Sequence, residues 1–422
     1  MSILRPFTAL RPPSGMAQAI SSLPHDAVDV PEARTLAAGN PLSFLHVLRP
    51  EVDLHLNVPP HSEVAIARAT ENFQRLIGDV PFRSDLEPSL YLYRVNTNGV
   101  ARMSVVGLVR LEDFRANTIL RHETVRRQEV DDLARLTLAL KAQIEPVVLF
   151  YPDRAEIDDR VRAASAHPPL YDFTAPDGVV HTLWRIEDSG PLVQAFSSVN
   201  RFYLAQGHQI VASVQRALSE GDGSLELEAH LLAALIPESQ IQIHASGSVV
   251  KNLCGMRPEF FLEAIREVFG AEEGAPPSPL RPGLASMYLG GRWYSLDLRR
   301  KVQGVMVISS REESRSPVLV TEQTHQAPLG QMDAFLLQER ILRPFLGIND
   351  PRTDPRIDSV SAGPIELSRL VDANKAAVAF SLYAPRLADV VAVAEAGQLM
   401  PPRSSWFEPR LRAGLLIYRM ES

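Results

Sequence analysis

The chain has 422 residues, 45% of them hydrophobic, and a formal net charge of -7. That length allows two or three packed units, and the acidic balance argues against a general nucleic-acid binder, which would present a basic face. The single cysteine, Cys254, excludes an intrachain disulfide and a cysteine-built metal cluster, and no apolar run approaches a membrane span. The first residues, "MSILRPFTALRPP", carry Arg5 and Arg11 and do not read as a secretory signal. A soluble, cytoplasmic protein is therefore expected.

In chain order, "SEVAIARATENFQRLIGDV" predicts a helix with Ser62 as its N-cap and Gly78 as its stop. A hairpin follows, turning at Asn98-Gly99. Leucines 133, 136 and 140 recur at helical spacing ahead of the strand "PVVLFY", and a second hairpin turns at Asp177-Gly178. "FYLAQGHQIVASVQRAL", residues 202–218, reads as a strand that turns at Gly207 into a helix. Apolar segments near 231–236 and 239–244 and a helix in "RPEFFLEAIREVFG" come next. Residues 271–284, rich in proline and glycine, predict a linker between an N-terminal region, 1–270, and a C-terminal region, 285–422. Beyond it lie a hairpin at Gly290-Gly291, a helix in "QMDAFLLQERILRPFL" and a last strand in "GLLIYRM". Hairpins mixed with helices indicate an α+β fold with mixed, largely antiparallel sheets in two subdomains.

Three segments hold candidate chemistry. Gly207 and His208 stand at a strand-to-helix turn, where backbone N–H groups point outward and can meet an anion, with Gly207 as a candidate cofactor-binding residue and His208 as a candidate catalytic one. "RHETVRRQEVDDLARL" offers His122 and Glu123 as acid/base groups and Asp131 and Asp132 as ligands for a divalent cation. The same acids would also serve a helix N-terminus by opposing its dipole. Near the end, Arg403, as an anion anchor, and Ser405 are candidate cofactor-binding residues; they precede Trp406, and the segment is either an exposed anion or stacking platform or, with Trp406 buried, a core plug for the last strand. Of the four lysines, none follows a Gly-x-x-x-x-Gly loop, so a Walker-type phosphate loop is absent. No Gly-x-Ser-x-Gly elbow supports a serine hydrolase.

The motifs "RPFTALRP" at 5–12, "LAAGNPLSFLHVLRPE" at 36–51, "RHET" at 121–124 and "DGVVHTLWRI" at 177–186 recur in one family. So do "MYLGGRWYSL" at 287–296, "LLQERILRPFLGINDPRTDPRID" at 336–358 and "MPPRSSWFEPRLRAGL" at 400–415. In order and spacing they resemble the domain-of-unknown-function 1015 family, nearly end to end. That family's Asp-Gly-His-His-Arg turn is similar to the phosphate-handling turn of ParB and sulfiredoxin-like proteins, a group that includes nucleotide-dependent serine kinases. The resemblance implies nucleotide or phosphometabolite chemistry, with ATP and magnesium as cofactors of an active member and a nucleotide or phosphorylated metabolite as partner.

Against that turn the chain keeps Gly207 and His208 but has Gln206, Gln209 and Ile210 for the aspartate, second histidine and arginine. Glu129 and Leu133 stand where the resemblance implies a lysine and an arginine, and Gly247-Ser248 where it implies Asn-Arg. A hydrogen bond to a charged group is worth roughly 1.5–3 kcal/mol, so losing several cations would weaken phosphate binding by powers of ten. The expectation is a corner stripped of positive neighbours in a member with altered or lost catalysis that binds a small molecule or partner. The alternative is an active ATP-dependent phosphotransferase acting on serine or a related metabolite.

Overall fold

The alternating and continuous apolar runs of the sequence become the strands of separate sheets in the computed structural model. It describes residues 3–220, 229–301, 306–311, 314–319, 327–360 and 363–420. The architecture is mixed α+β, as expected. Residues 1–120, 128–242 and 409–422 make one unit, and residues 121–127 and 243–408 make the other. The proline-rich residues 271–284 do not separate them. They lie inside the second unit, where Glu272–Glu273 forms a strand against Tyr294 and Ser295.

The first unit is built on one mixed sheet. Across it run Ile119–Leu120, Phe202–Gln206, Val147–Tyr151, His230–Pro237, Val100–Arg110, Leu90–Thr97, Val180–Ile186 and Tyr171–Thr174, with Leu4–Arg5 added beside Val100–Arg110. Two pairings are parallel, 202–206 with 119–120 and 230–237 with 147–151; the rest are antiparallel. Asn98 and Gly99 both take positive φ, 54° and 83°, which matches the right-handed twist of the strands they join. Val147–Tyr151 is buried throughout, consistent with its unbroken apolar run. Helix His208–Glu220 packs Val211 and Val214 into the cluster around Leu149, Phe202 and Leu235. Helices Glu63–Asp79 and Arg127–Leu140 contribute to a second cluster with Phe44, Phe73, Leu76, Leu140 and Ile144. Ser62 caps the first of these as expected, while Gly78 lies within its last turn rather than ending it.

The last segment, 409–422, returns to this unit through the pairings Ser22↔Ala413, Leu10↔Ile417 and Tyr418↔Gln143. Arg412 anchors it. The guanidinium binds Asp177 in the second hairpin turn and donates to His181 Nε2 at 3.2 Å. His181 is therefore a neutral imidazole with its proton on Nδ1, which faces Tyr93 Oη at 3.1 Å.

The second unit holds an antiparallel sheet in the order Glu272–Glu273, Arg292–Asp297, Leu284–Leu289, Val378–Leu382, Gly247–Val250, Ile357–Val360. Helix Pro258–Phe269 buries Phe261, Ile265 and Phe269 and ends at Gly270 with φ 67°. The helix expected in "QMDAFLLQERILRPFL" forms as Asp333–Leu337 and Arg343–Leu346 joined by a π-helical turn at Gln338–Leu342.

Burial, and then the nearby Arg412 cation, push the His181 pKa down to about 3. An unfolded histidine takes its proton near pH 6.5. Between those values the unfolded chain binds the extra proton, so stability falls as pH drops through the window. At about 1.4 kcal/mol per unit, the loss is on the order of a few kcal/mol. Urea unfolding at pH 7 and pH 4.5 will show a large difference for the native protein and a smaller one for His181→Gln.

Candidate functional site

The turn after Gln206 forms as the sequence predicts. Gly207 adopts φ 93°, and a Cβ there would lie 2.7 Å from Val147 Cγ1 and 3.2 Å from Val147 Cα. Only glycine meets both demands. The Gly207 carbonyl accepts the first helical bond, from Val211 N at 2.9 Å, so the helix begins at His208, which is buried.

Gln206 and Gln209, on either side of this turn, are engaged internally. Gln206 donates through Nε2 to Pro409 O at 3.0 Å and accepts from Arg410 Nη1 at 3.1 Å. Arg410 also forms an ion pair with Asp26 at 3.1 Å. A cation from the C-terminal segment thus reaches the turn, which sequence reasoning did not foresee, but it arrives with a carboxylate partner. Gln209 donates to Glu129 Oε2 at 3.3 Å. Positions 129 and 209, both singled out in the sequence, are therefore hydrogen-bonded to each other.

Two more of them share a cavity. Ile210 and Leu133 both line one cleft, which is partly open to solvent. Leu48, Leu136, Leu140 and Val214 add apolar side chains to its lining, His25, Arg49, His61, Asp132 and Glu145 add titratable or charged ones, and Thr137, Gln143 and Ser213 add neutral polar ones. His25 Nδ1 faces Glu145 Oε2 at 2.6 Å, and the His25 amide donates to Oε1 at 2.6 Å. Burial disfavours the charged imidazole, but the carboxylate overrides it and holds the His25 pKa above the ordinary value. His61 is shifted the other way, chiefly by burial, with Glu51 and Asp132 opposing. Neither histidine was legible as a site residue, because nothing in "LPHDAV" or "PPHSEV" marks a ligand or catalyst.

Of the predicted metal ligands, Asp132 pairs with Arg135 at 2.6 Å and Asp131 with Arg216 at 3.4 Å. Neither belongs to a group of three metal-ligating side chains among the described residues.

In the second unit, four predicted residues come together. Glu123 is buried and accepts from Ser405 N at 2.8 Å, from Arg403 N at 3.0 Å and from the Ser405 hydroxyl. His122 Nε2 lies 3.0 Å from Ser405 Oγ, and its ring stands 5.4 Å from that of Phe407. The backbone continues the contact: Met400 N donates to His122 O at 2.8 Å and Thr124 N to Met400 O at 3.0 Å. Arg403 sits at φ 56°, a conformation uncommon outside glycine and asparagine, held there by the Glu123 carboxylate. Trp406 belongs to the short strand Trp406–Glu408.

A family model described as "Protein of unknown function (DUF1015)" matches residues 4–334. The protein belongs to the DUF1015 family. Among solved structures, C-terminally truncated SbnI from Staphylococcus aureus is 10% identical, with 74% of this chain and 87% of that chain covered at a TM-score of 0.37. A free serine kinase in complex with AMP is 8% identical, covering 74% and 92%, at 0.36. A conserved hypothetical protein from Pyrococcus furiosus is 9% identical, covering 74% and 95%, at 0.37. No curated protein matches the sequence. No helix among the described residues of this DUF1015 member is long and apolar enough to cross a membrane.

Two substitutions test these local arguments. Gly207→Ala combines a strained φ with overpacking against Val147, together costing about 2–4 kcal/mol. Glu123→Ala leaves two backbone amides without their acceptor, at roughly 1–3 kcal/mol each. Urea unfolding of the single variants measures both, and a neutral result at either position contradicts its assignment.

Proposed function

We propose that this DUF1015 protein is a binding member of its family, in which the phosphate-handling turn has been rebuilt into the wall of a cleft that takes a small, largely apolar molecule. The observation that carries this reading is the pairing of the departures. Gln209 bonds Glu129, and Ile210 shares an apolar cleft with Leu133. Had chemistry merely decayed, the substituted residues would have no reason to suit one another. The exchanges of a cation at 129, 133 and 210 are matched by neighbours that need none.

A nucleotide polyphosphate does not fit these groups. Gln206 is committed to Pro409 and Arg410, and Arg410 already faces Asp26. Glu129 would repel a phosphate, and Ile210 offers it no donor. The second reading, a phosphotransferase using ATP and magnesium on serine or a related metabolite, draws on the bonded set of His122, Glu123 and Ser405 in the second unit.

Thermal denaturation with ATP, ADP or phosphoserine, with and without magnesium, separates the two. A ligand at 100 times its dissociation constant adds about 2.7 kcal/mol, so a binder raises the midpoint by several degrees; none of these is expected to. The double variant Gln206→Asp with Ile210→Arg should gain ADP affinity by roughly tenfold or more, the scale of one charge-assisted bond. Nucleotide stabilisation of the unaltered protein, or ATP consumption dependent on serine, would establish the second reading.

A further inference from the structure

Among the charged groups of the first unit's cleft, one differs from the rest. His25 is matched by Glu145 at 2.6 Å, and Asp132 by Arg135 at 2.6 Å. Arg49 has no such partner. Its hydrogen bonds run to the carbonyl oxygens of His25 and Val28, both neutral. Its Nε is buried and has no hydrogen-bond partner among the described residues, and no carboxylate there lies within ion-pair distance of its guanidinium. Glu51, two residues along, turns instead to the amide of His61 at 3.4 Å.

A partly buried guanidinium bonded only to neutral carbonyls keeps a net positive charge in poorly solvated surroundings, which is costly until an anion meets it. The same cleft is lined by Leu48, Leu133, Leu136, Leu140, Ile210 and Val214, which offer a ligand no hydrogen bonds, and by Thr137, Gln143 and Ser213. We infer that the cleft binds an amphipathic acid: an apolar body laid along these side chains, ending in a carboxylate at Arg49. The inference rests on the reading of the cleft as a binding site and adds the chemical class of its ligand.

The same surroundings select against other anions. A phosphate dianion would bring two charges to one cation, beside the Glu145 and Asp132 carboxylates that line the cleft. A carboxylate brings one charge and the planar geometry that guanidinium matches. Each methylene buried along the wall adds about 0.8 kcal/mol, so affinity should climb with chain length until the cleft is filled.

Octanoate, 1-octanol and inorganic phosphate serve as probes, titrated calorimetrically into the full-length protein. Octanoate is expected to bind at least tenfold more tightly than 1-octanol, with no heat from phosphate. Ile210→Trp, which fills the cleft and leaves Arg49 in place, should abolish binding of both eight-carbon probes. Arg49→Gln should reduce octanoate to the affinity of 1-octanol; should that variant fail to fold, the first two comparisons decide alone. Equal binding of octanoate and 1-octanol, both lost in Ile210→Trp, overturns the acid selectivity and leaves the cleft reading standing. No binding by either, or binding indifferent to Ile210→Trp, overturns the cleft reading and the inference together.

Discussion

The close approach of residue 207 to Val147 is the constraint from which the rest of the first unit's site follows. A strand and a helix meet there with no room for a side chain and with a backbone angle that suits glycine. The helix that begins at His208 therefore has its rotation fixed by the strand before it. Helical spacing then sends Val211 into the sheet's core and Ile210, Ser213 and Val214 to the cleft. What residue 210 is decides what the cleft can hold. An arginine there would project a cation among Leu133, Leu136 and Val214; isoleucine makes the wall continuous.

Electrostatics agree with the packing. Three polar side chains at this corner are bonded inside the fold, Gln206 to Pro409 and Arg410, Gln209 to Glu129, and Arg410 to Asp26. Such pairs hold the C-terminal segment and the helix in place, a structural role for positions where chemistry would need uncommitted groups. The second unit follows the same logic. Glu123 fixes the left-handed Arg403 and the Ser405 amide, so its carboxylate is first a clamp on the 400–405 loop. Arg49 is the exception in the cleft, and a partly buried charge without a counter-charge among the described residues is the feature that would give the cleft a preferred ligand.

Local signals in the sequence reported local structure faithfully. Asn98-Gly99 made its hairpin, Ser62 capped its helix, and the Phe202–Gly207 stretch made a strand and a turn. Each is decided by residues within a few positions of one another. The unit boundaries were not legible, because residues 121–127 and 409–422 join units distant from them in sequence, and no local composition records that. Residues 271–284 looked like a linker for their prolines and glycines, yet Glu272 and Glu273 pair with a strand. The same limit applied to the site. Gln206, Gln209 and Ile210 were readable as departures from the pattern that the resemblance implies, but the neighbours that accommodate them, Arg410 for Gln206, Glu129 for Gln209 and Leu133 for Ile210, lie far away in sequence. Arg49 gave no sign of its isolation, since a missing partner can be seen only in three dimensions.

Nuclear magnetic resonance of protein labelled at isoleucine methyl groups tests the central claim most directly. Ile210 and Ile144 both line the cleft, and their methyl signals report on whatever enters it. Titration with octanoate should shift these two signals in a saturable manner, while magnesium and ADP leave them unmoved. Shifts of the Ile210 signal by ADP, or octanoate shifts confined to isoleucines outside the cleft, would contradict the account.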